Sequence, residues 1–425
     1  MVGISDAGVR QGSHWAAAIV FAFAFSFPVI GSAATPAPAE PLAGEADPWT
    51  ISLSSQIEYY SWTSTKGYPA TGAGAEGSGS QTYMPVGVKL AGRPSELLSL
   101  EFLVRSAFFY SSQETAGMSG TARGMTDTSL TATGTYYGMA GLQPFLSLTT
   151  NLPTGNAEQS AASSFGKMDS DVVDTPVFGE GFNGGVTLGT NIPLTPTLIA
   201  SVGAGYTYRG AYDRESFAGP GTTKIDPGDT YSVNLGLGFQ GERLSWQTQI
   251  AYTGESETEL NDAPYYQSGG SVFTSLGLGY AWSDEWASDA SISYTHTEKN
   301  HVLTSGLPPL VAETLNSNSD VVKLDFATNY AGEDFSLGPK IGFVRRNANS
   351  WSPTDLEYLP AKTSWSLGLA GQYAVTPDFI LSADVARIWL KENQSPDKTL
   401  LGPGSGIPEI TTRAWQMTIG GSWQF

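Results

Sequence analysis

The chain has 425 residues, 40 acidic and 21 basic, and its net charge of −19 argues against nucleic acid as a partner, because phosphate binding needs a basic face. It contains no cysteine, which excludes disulfides, cysteine-ligated zinc, iron–sulfur clusters and cysteine nucleophiles. Charged residues are only 14%, against about 25% in ordinary soluble domains, while Gly reaches 50 residues and aromatics 12%, a mixture that suits strands apolar on one face and polar on the other.

In chain order, the first element is an export signal. Arg10 and His14 precede "WAAAIVFAFAFSFPVIGSAA", whose apolar run Trp15–Val29 has the length of a signal core and is short for a membrane span. Small residues at Gly31, Ser32, Ala33 and Ala34 allow cleavage there, so residues 1–34 are expected to be a signal peptide. Residues 35–47, "TPAPAEPLAGEAD", form a Pro/Ala-rich linker, and 48–425 are expected to form one β-barrel.

From Trp49 onward the hydrophobic period is two. "WTISLSSQIEY" sets Trp49, Ile51, Leu53, Ile57 and Tyr59 against Thr50, Ser52, Ser54, Gln56 and Glu58. "TYSVNLGLGFQ" sets Tyr231, Val233, Leu235, Leu237 and Phe239 against small polar residues, and "SWSLGLAGQYA" repeats the pattern from Trp365. Successive side chains of a strand point to opposite faces, so the pattern predicts strands throughout.

Connections alternate too. Long polar loops are expected near residues 64–80, 113–126, 153–183, 211–229, 254–269, 299–318, 347–362 and 393–411. Between them lie short turns such as "GER" (Gly241–Arg243), "AGED" (Ala331–Asp334) and "VTPD" (Val375–Asp378). Eight long loops and seven short turns predict about 16 strands. Short turns at one end and long loops at the other are the plan of an outer-membrane barrel, with long loops outside the cell. Aromatics support it: Trp49, Trp282, Trp286, Phe335, Phe379, Trp423 and Phe425 lie beside short turns, and Tyr110, Tyr208, Tyr231, Trp365, Trp389 and Trp415 beside long loops. Two aromatic girdles around an apolar band mark a transmembrane antiparallel β-barrel. The last strand, "RAWQMTIGGSWQF", carries Trp415 and Trp423 at span distance and ends on Phe425, which is expected to be the signal read by the barrel-assembly machinery.

The segment "DTSLTATGTYYGMAGLQPFLSLTTNLPTGN" (Asp127–Asn156) resembles the strand, short turn, strand, N-x-P-T-G block of the outer-membrane transporters of the meta-pathway of phenol degradation. "GYTYRGAYDR…DPGDTYSVNLGLGFQ" (Gly205–Gln240) is similar to a second hairpin of that family. The resemblance covers about a fifth of the chain and implies passage of small, aromatic or otherwise hydrophobic molecules. The third long loop contains "PVFGEG" (Pro176–Gly181), similar to a stretch of the porin constriction loop, so Asp169, Asp171, Asp174 and Glu180 are candidates for a constriction.

No nucleophile elbow or acid pair points to an enzyme, no cofactor is implied, and "ESETELND" (Glu255–Asp262) lacks the central Gly of a calcium loop. Alternation puts Glu58, Lys89, Glu101, Arg105, Arg209, Asp289, Lys323, Asp325, Lys340, Arg346 and Asp384 on the inner, pore-lining face, with Arg105 expected to pair with Glu101 and Lys323 with Asp325. At about 16 strands side chains cannot fill the interior. The reading is a passive channel for small solutes with weak cation preference, in the outer membrane of a Gram-negative bacterium, embedded in lipid and lipopolysaccharide. A structural or plugged barrel that anchors a surface partner is the alternative.

Overall fold

A computed structural model of the protein describes residues 49–65, 76–115, 118–157, 179–215, 221–304, 307–404 and 406–425, together with Ser163 and Gly166. The expected signal peptide and linker lie outside the described residues, as do Asp169, Asp171 and Asp174.

Among the described residues the strands are, in chain order, β1 (Thr50–Ser64), β2 (Gly77–Ser95), β3 (Leu98–Thr115), β4 (Met118–Met125), β5 (Thr128–Tyr136), β6 (Gln143–Leu152), β7 (Asn183–Thr195), β8 (Leu198–Arg209), β9 (Tyr212–Glu215), β10 (Thr222–Asp226), β11 (Thr230–Gln240) and β12 (Leu244–Glu255). They continue as β13 (Thr258–Leu260), β14 (Ala263–Gln267), β15 (Ser271–Ala281), β16 (Trp286–Thr297), β17 (His301–Thr304), β18 (Leu307–Ala312), β19 (Val321–Ala331), β20 (Phe335–Arg346), β21 (Lys362–Thr376), β22 (Phe379–Glu392) and β23 (Ile410–Gln424).

Each wall strand pairs antiparallel with its neighbours. β4 and β5 share one place in the wall, both pairing with β3, so the wall has 16 strand positions. It closes where β1 meets β23, from Ser52↔Gln424 through Ile57↔Ile419 to Ser64↔Thr412, with Phe425 N–H donating to the Ile51 carbonyl at 2.8 Å. Lipid offers backbone groups no partner, so a strand wall in a bilayer must close.

The outward face shows why these sequences alternate. Leu188, Leu235, Ile250, Ile292, Leu367 and Ile419 are exposed mid-wall, a band of apolar side chains that water would not tolerate. At the short-turn end Trp282 packs on Tyr280 (4.6 Å between centroids), Trp286 on Tyr330 (5.3 Å) and Phe425 on Trp423 (5.3 Å). At the long-loop end Tyr231 meets Tyr252 (6.3 Å) and Phe343 meets Trp365 (4.4 Å). This is a transmembrane β-barrel with both girdles.

Three of the expected polar loops are more ordered than their composition suggests. The 211–229, 254–269 and 299–318 segments carry the hairpins β9–β10, β13–β14 and β17–β18, which join edge to edge in a separate six-stranded sheet. The apolar "HVLTSGLPPLVAE" stretch is one of these, with Val302 opposite Val311. Each hairpin is too short to be stable alone, and pairing with its neighbours supplies the missing hydrogen bonds.

Leu235→Arg is expected to destabilise the barrel by about 2–4 kcal/mol in lipid, whereas Gln240→Arg, on the inner face, changes little. Unfolding midpoints in vesicles check this. Phe425→Asp puts a charge into the short-turn girdle and is expected to lower the yield of heat-modifiable barrel on gels.

Candidate channel lumen

The inner face is built from the residues between the exposed apolar ones. On β1 Ile57 and Tyr59 face out, so Gln56, Glu58, Tyr60 and Trp62 face in. The same parity places Lys89, Glu101, Arg105, Arg209, Asp289, Lys323, Asp325, Lys340, Arg346 and Asp384 on the inner face, each flanked on its strand by outward neighbours such as Val88, Phe102, Tyr208, Leu324, Ile341 and Val385.

Several of these charges lie in pairs along the wall. Lys89 and Glu101 meet at 2.8 Å across β2 and β3, and Lys340 pairs with Asp384. The expected partner of Glu101 was Arg105, four residues on along the same strand. At about 3.3 Å per residue that separation is beyond ion-pair reach, while a diagonal neighbour on the adjacent strand is within it. Arg209 sits at the long-loop rim, 3.2 Å from Glu255 and 3.9 Å from Glu180, and so brings together a wall residue and a residue of the third long loop. Arg346 donates to the Pro360 carbonyl at 3.3 Å, and Asp289 faces Gly279 across β15 and β16. Lys362 pairs with Glu392 at 3.2 Å, an inward ion pair hidden from the sequence reading because Lys362 fell at a loop boundary. His296 meets Asp320 at 2.7 Å on the long-loop rim.

Polar groups are also chained. Gln416 donates to the Tyr60 hydroxyl at 3.0 Å, which donates to Glu58 at 3.0 Å, and Gln56 donates to the other oxygen of Glu58. Toward the long loops the inner face carries buried apolar side chains among buried polar ones such as Gln81, Gln113 and Thr412. Tyr60 and Trp62 are buried against Ala414 and Ile388, with Phe109, Leu390 and Ile410 also buried on inward positions. Trp62 lies flat on β2: a Cβ at Gly79 would stand 2.7 Å from its ring. Sequence reading stopped the β1 pattern at Tyr59 and so missed that the next two inward residues are aromatic.

The third long loop is tied into this interior at two places. The first is a break in the wall. Between β4 and β5 the β3 register shifts by one residue at Thr126–Asp127, and Thr126 Oγ1 takes over the ladder by accepting from Ala107 N–H at 2.9 Å. Bulges re-aim side chains. Here the bulge turns Asp127 toward the neck of the loop, where its carboxylate, 6% exposed, accepts four hydrogen bonds. Oδ1 takes Gly155 N–H (2.9 Å) and Gly179 N–H (2.7 Å), and Oδ2 takes Glu180 N–H (3.1 Å) and Asn151 Nδ2 (2.8 Å). Thr154 adds a bond to the Thr126 carbonyl at 3.1 Å. Both ends of the loop therefore converge on one carboxylate. The crossing is tight, since a Cβ at Gly155 would meet Gly179 N at 2.7 Å, and Gly179 itself has φ +79°, a left-handed conformation that favours glycine. The second tie is inside the barrel: Ser111, inward and buried on β3, donates to the Gly166 carbonyl at 2.7 Å. Gly166 thus lies against the inward face of the β3–β4 pair, further toward the long-loop end than the neck, since Ser111 stands four residues beyond Ala107 on β3.

The signal for this clamp was present in the sequence. Asn151, Thr154 and Gly155 belong to the "NLPTG" stretch and Asp127 opens the same block, but nothing in their spacing shows that they meet.

No family model matches the chain, and no curated protein matches it. Solved structures do. The chain is similar to an outer membrane channel from Pseudomonas putida, at 11% identity and a TM-score of 0.40, over 61% of this chain and 92% of that one. It is similar to the toluene transporter TodX of P. putida, at 10% identity and a TM-score of 0.39, over 89% and 90%. It is also similar to OpdO of Pseudomonas aeruginosa, at 10% identity and a TM-score of 0.44, over 89% and 97%.

Asp127→Ala leaves four donors without their acceptor, and each buried unsatisfied donor costs about 1–3 kcal/mol. The variant is expected to lose at least about 2 kcal/mol of stability, and Asp127→Asn to lose less, because one oxygen remains for the Gly155 and Gly179 amides. Thermal unfolding of the purified barrel in detergent checks the order.

Proposed function

We propose that the protein is a channel of the Gram-negative outer membrane, through which small solutes diffuse passively. The carrying observation is the tethering of the third long loop within a closed wall of 16 positions, by Asp127 at its neck and by Ser111 at Gly166. A 16-strand wall encloses more space than its side chains fill, and a loop tied to its inner face at the long-loop end stands where the mouth would be narrowed. The charges paired along the inner wall are water-facing and leave the wall near electrical balance.

The solute class is small and apolar or aromatic. Buried Tyr60, Trp62, Phe109 and Leu390 give the long-loop end of the inner face an apolar lining layer next to the Glu58–Tyr60–Gln416 chain. Apolar and aromatic side chains with a few fixed polar groups suit small ring compounds better than sugars or ions. Short turns then face the periplasm, the long loops face outside, and Phe425 serves the assembly machinery as the exposed aromatic of the closing strand.

A weak cation preference follows from charge. The chain carries 40 acids against 21 bases, and Asp169, Asp171, Asp174 and Glu180 belong to the third long loop. Acidic mouths concentrate cations, and the effect fades as salt shortens the Debye length to about 10 Å at 0.1 M. In proteoliposomes the protein is expected to pass small aromatic alcohols faster than disaccharides. Zero-current potentials under a salt gradient should show cation preference that falls when Asp169, Asp171 and Asp174 are changed together to Asn. An anion-selective or impermeable protein would instead support a plugged, structural barrel.

A further inference from the structure

The outward face at the long-loop end is not uniform. Around most of the rim its polar-edged residues are tyrosines: Tyr110, Tyr208, Tyr231, Tyr252 and Tyr294. On β21–β23 they are tryptophans, Trp365, Trp389 and Trp415, and beside them on β20, β22 and β23 stand four cations in a chain that is otherwise strongly acidic. Arg345, Lys391 and Arg413 are exposed on outward positions of three of these strands, and the guanidinium of Arg387 lies 5.0 Å above the Trp415 ring.

Register brings them into one row. Arg345 is opposite Thr363, Thr363 opposite Lys391, and Lys391 opposite Thr411, while Arg413 is opposite Trp389 on one side and Thr63 on the other. Between them lies a groove of ≈ 450 Å³ lined by Arg345, Thr363, Trp389, Lys391, Thr411 and Arg413. Its floor is the tryptophan girdle and its upper edge is cationic and hydroxylic. Two of the cations have partners: Lys391 meets Glu409 at 2.8 Å, and Arg345 Nε donates to Asn347 at 3.1 Å. Both are half-exposed or exposed contacts, weak in water and readily exchanged for a stronger anion.

We propose that this groove binds a phosphate of the surrounding lipid, the phosphorylated sugar headgroup of lipopolysaccharide, with the acyl chains running down over the tryptophans and the apolar band. The assignment rests on the outer-membrane reading above, which puts this end in the outer leaflet. Girdle tryptophans set the depth of the headgroup layer, so the cations one or two residues beyond them stand at phosphate level. Arginine matches a phosphate with two parallel hydrogen bonds, and two arginines with one lysine offer more donors than a monoester can fill. Thr363 and Thr411 hydroxyls, between the cations, suit the remaining oxygens or the sugar.

The test uses the purified full barrel in detergent and labelled hexa-acyl lipid A, with and without its phosphates. The wild type is expected to bind the phosphorylated form more than about tenfold tighter than the dephosphorylated form. The combined Arg345→Ala, Lys391→Ala, Arg413→Ala variant should lose that preference, while Arg123→Ala, an outward cation elsewhere on the rim, should keep it. The pair Arg345→Lys, Arg413→Lys should retain part of it, which separates loss of the site from loss of the fold. No discrimination by the wild type, or full discrimination by the triple variant, would overturn the proposal. So would inorganic phosphate competing mole for mole with lipid A, because the site would then serve free anions. Solute flux and conductance should be unchanged in every variant. An absence of flux in the wild type is a failure of the channel reading and leaves the lipid titration to be judged on its own.

Discussion

A peptide N–H or C=O left unpaired in hydrocarbon costs several kcal/mol, and that penalty shapes this molecule more than any side-chain contact. It requires β1 and β23, more than 300 residues apart in sequence, to pair along their whole length. Once the wall is closed, each strand has a lipid face and an inner face, and the period of two follows. Leu235, Leu367 and Ile419 can then be exposed without penalty, because the medium they meet is lipid. The tryptophans and tyrosines at both ends take positions where one edge is dry and the other wet.

The interior obeys different rules, since water replaces lipid. Charges there lie along the wall and are neutralised by near neighbours, Lys89 by Glu101 diagonally on the adjacent strand and Lys340 by Asp384 two strands away across β21. The abundant inward glycines leave space for this: a Cβ at Gly368 would meet the stem of Lys340 at 3.0 Å. One residue interrupts the regularity. By shifting register at Thr126, the wall loses part of its ladder and gains an inward carboxylate that gathers both ends of a long loop. A local defect in the sheet thereby joins both ends of a long loop to the wall, with Phe109 buried on β3 beside it and Tyr60 and Trp62 buried two strands further on β1.

Much of this could be read from residues alone. Alternation from Trp49, the alternate spacing of long and short connections and the two aromatic sets give the class of fold and the strand count, because each reports a constraint local in sequence. The faces of the charged residues were assigned by the same parity, which needs no knowledge of partners. Partnership was not. Glu101 was matched with Arg105 on its own strand, whereas the registers of β2 and β3, set by their turn, bring Lys89 to it. The hairpins β9–β10, β13–β14 and β17–β18 were hidden because their strands are three to six residues long and gain stability from one another. Asp127 entered the sequence reading only as the first residue of the Asp127–Asn156 block, and only the bulge shows that it faces Gly155 and Gly179, residues 28 and 52 positions later.

The central claim is that a closed, water-containing wall is narrowed by a loop held on Asp127. Single-channel recording in planar bilayers, comparing the wild type with Asp127→Ala, tests it most directly. The account predicts discrete ohmic steps for the wild type and larger, noisier steps for the variant, because the loop neck is no longer fixed. Steps of equal size in the two proteins would contradict the role of the clamp, and an absence of steps in both would contradict the channel.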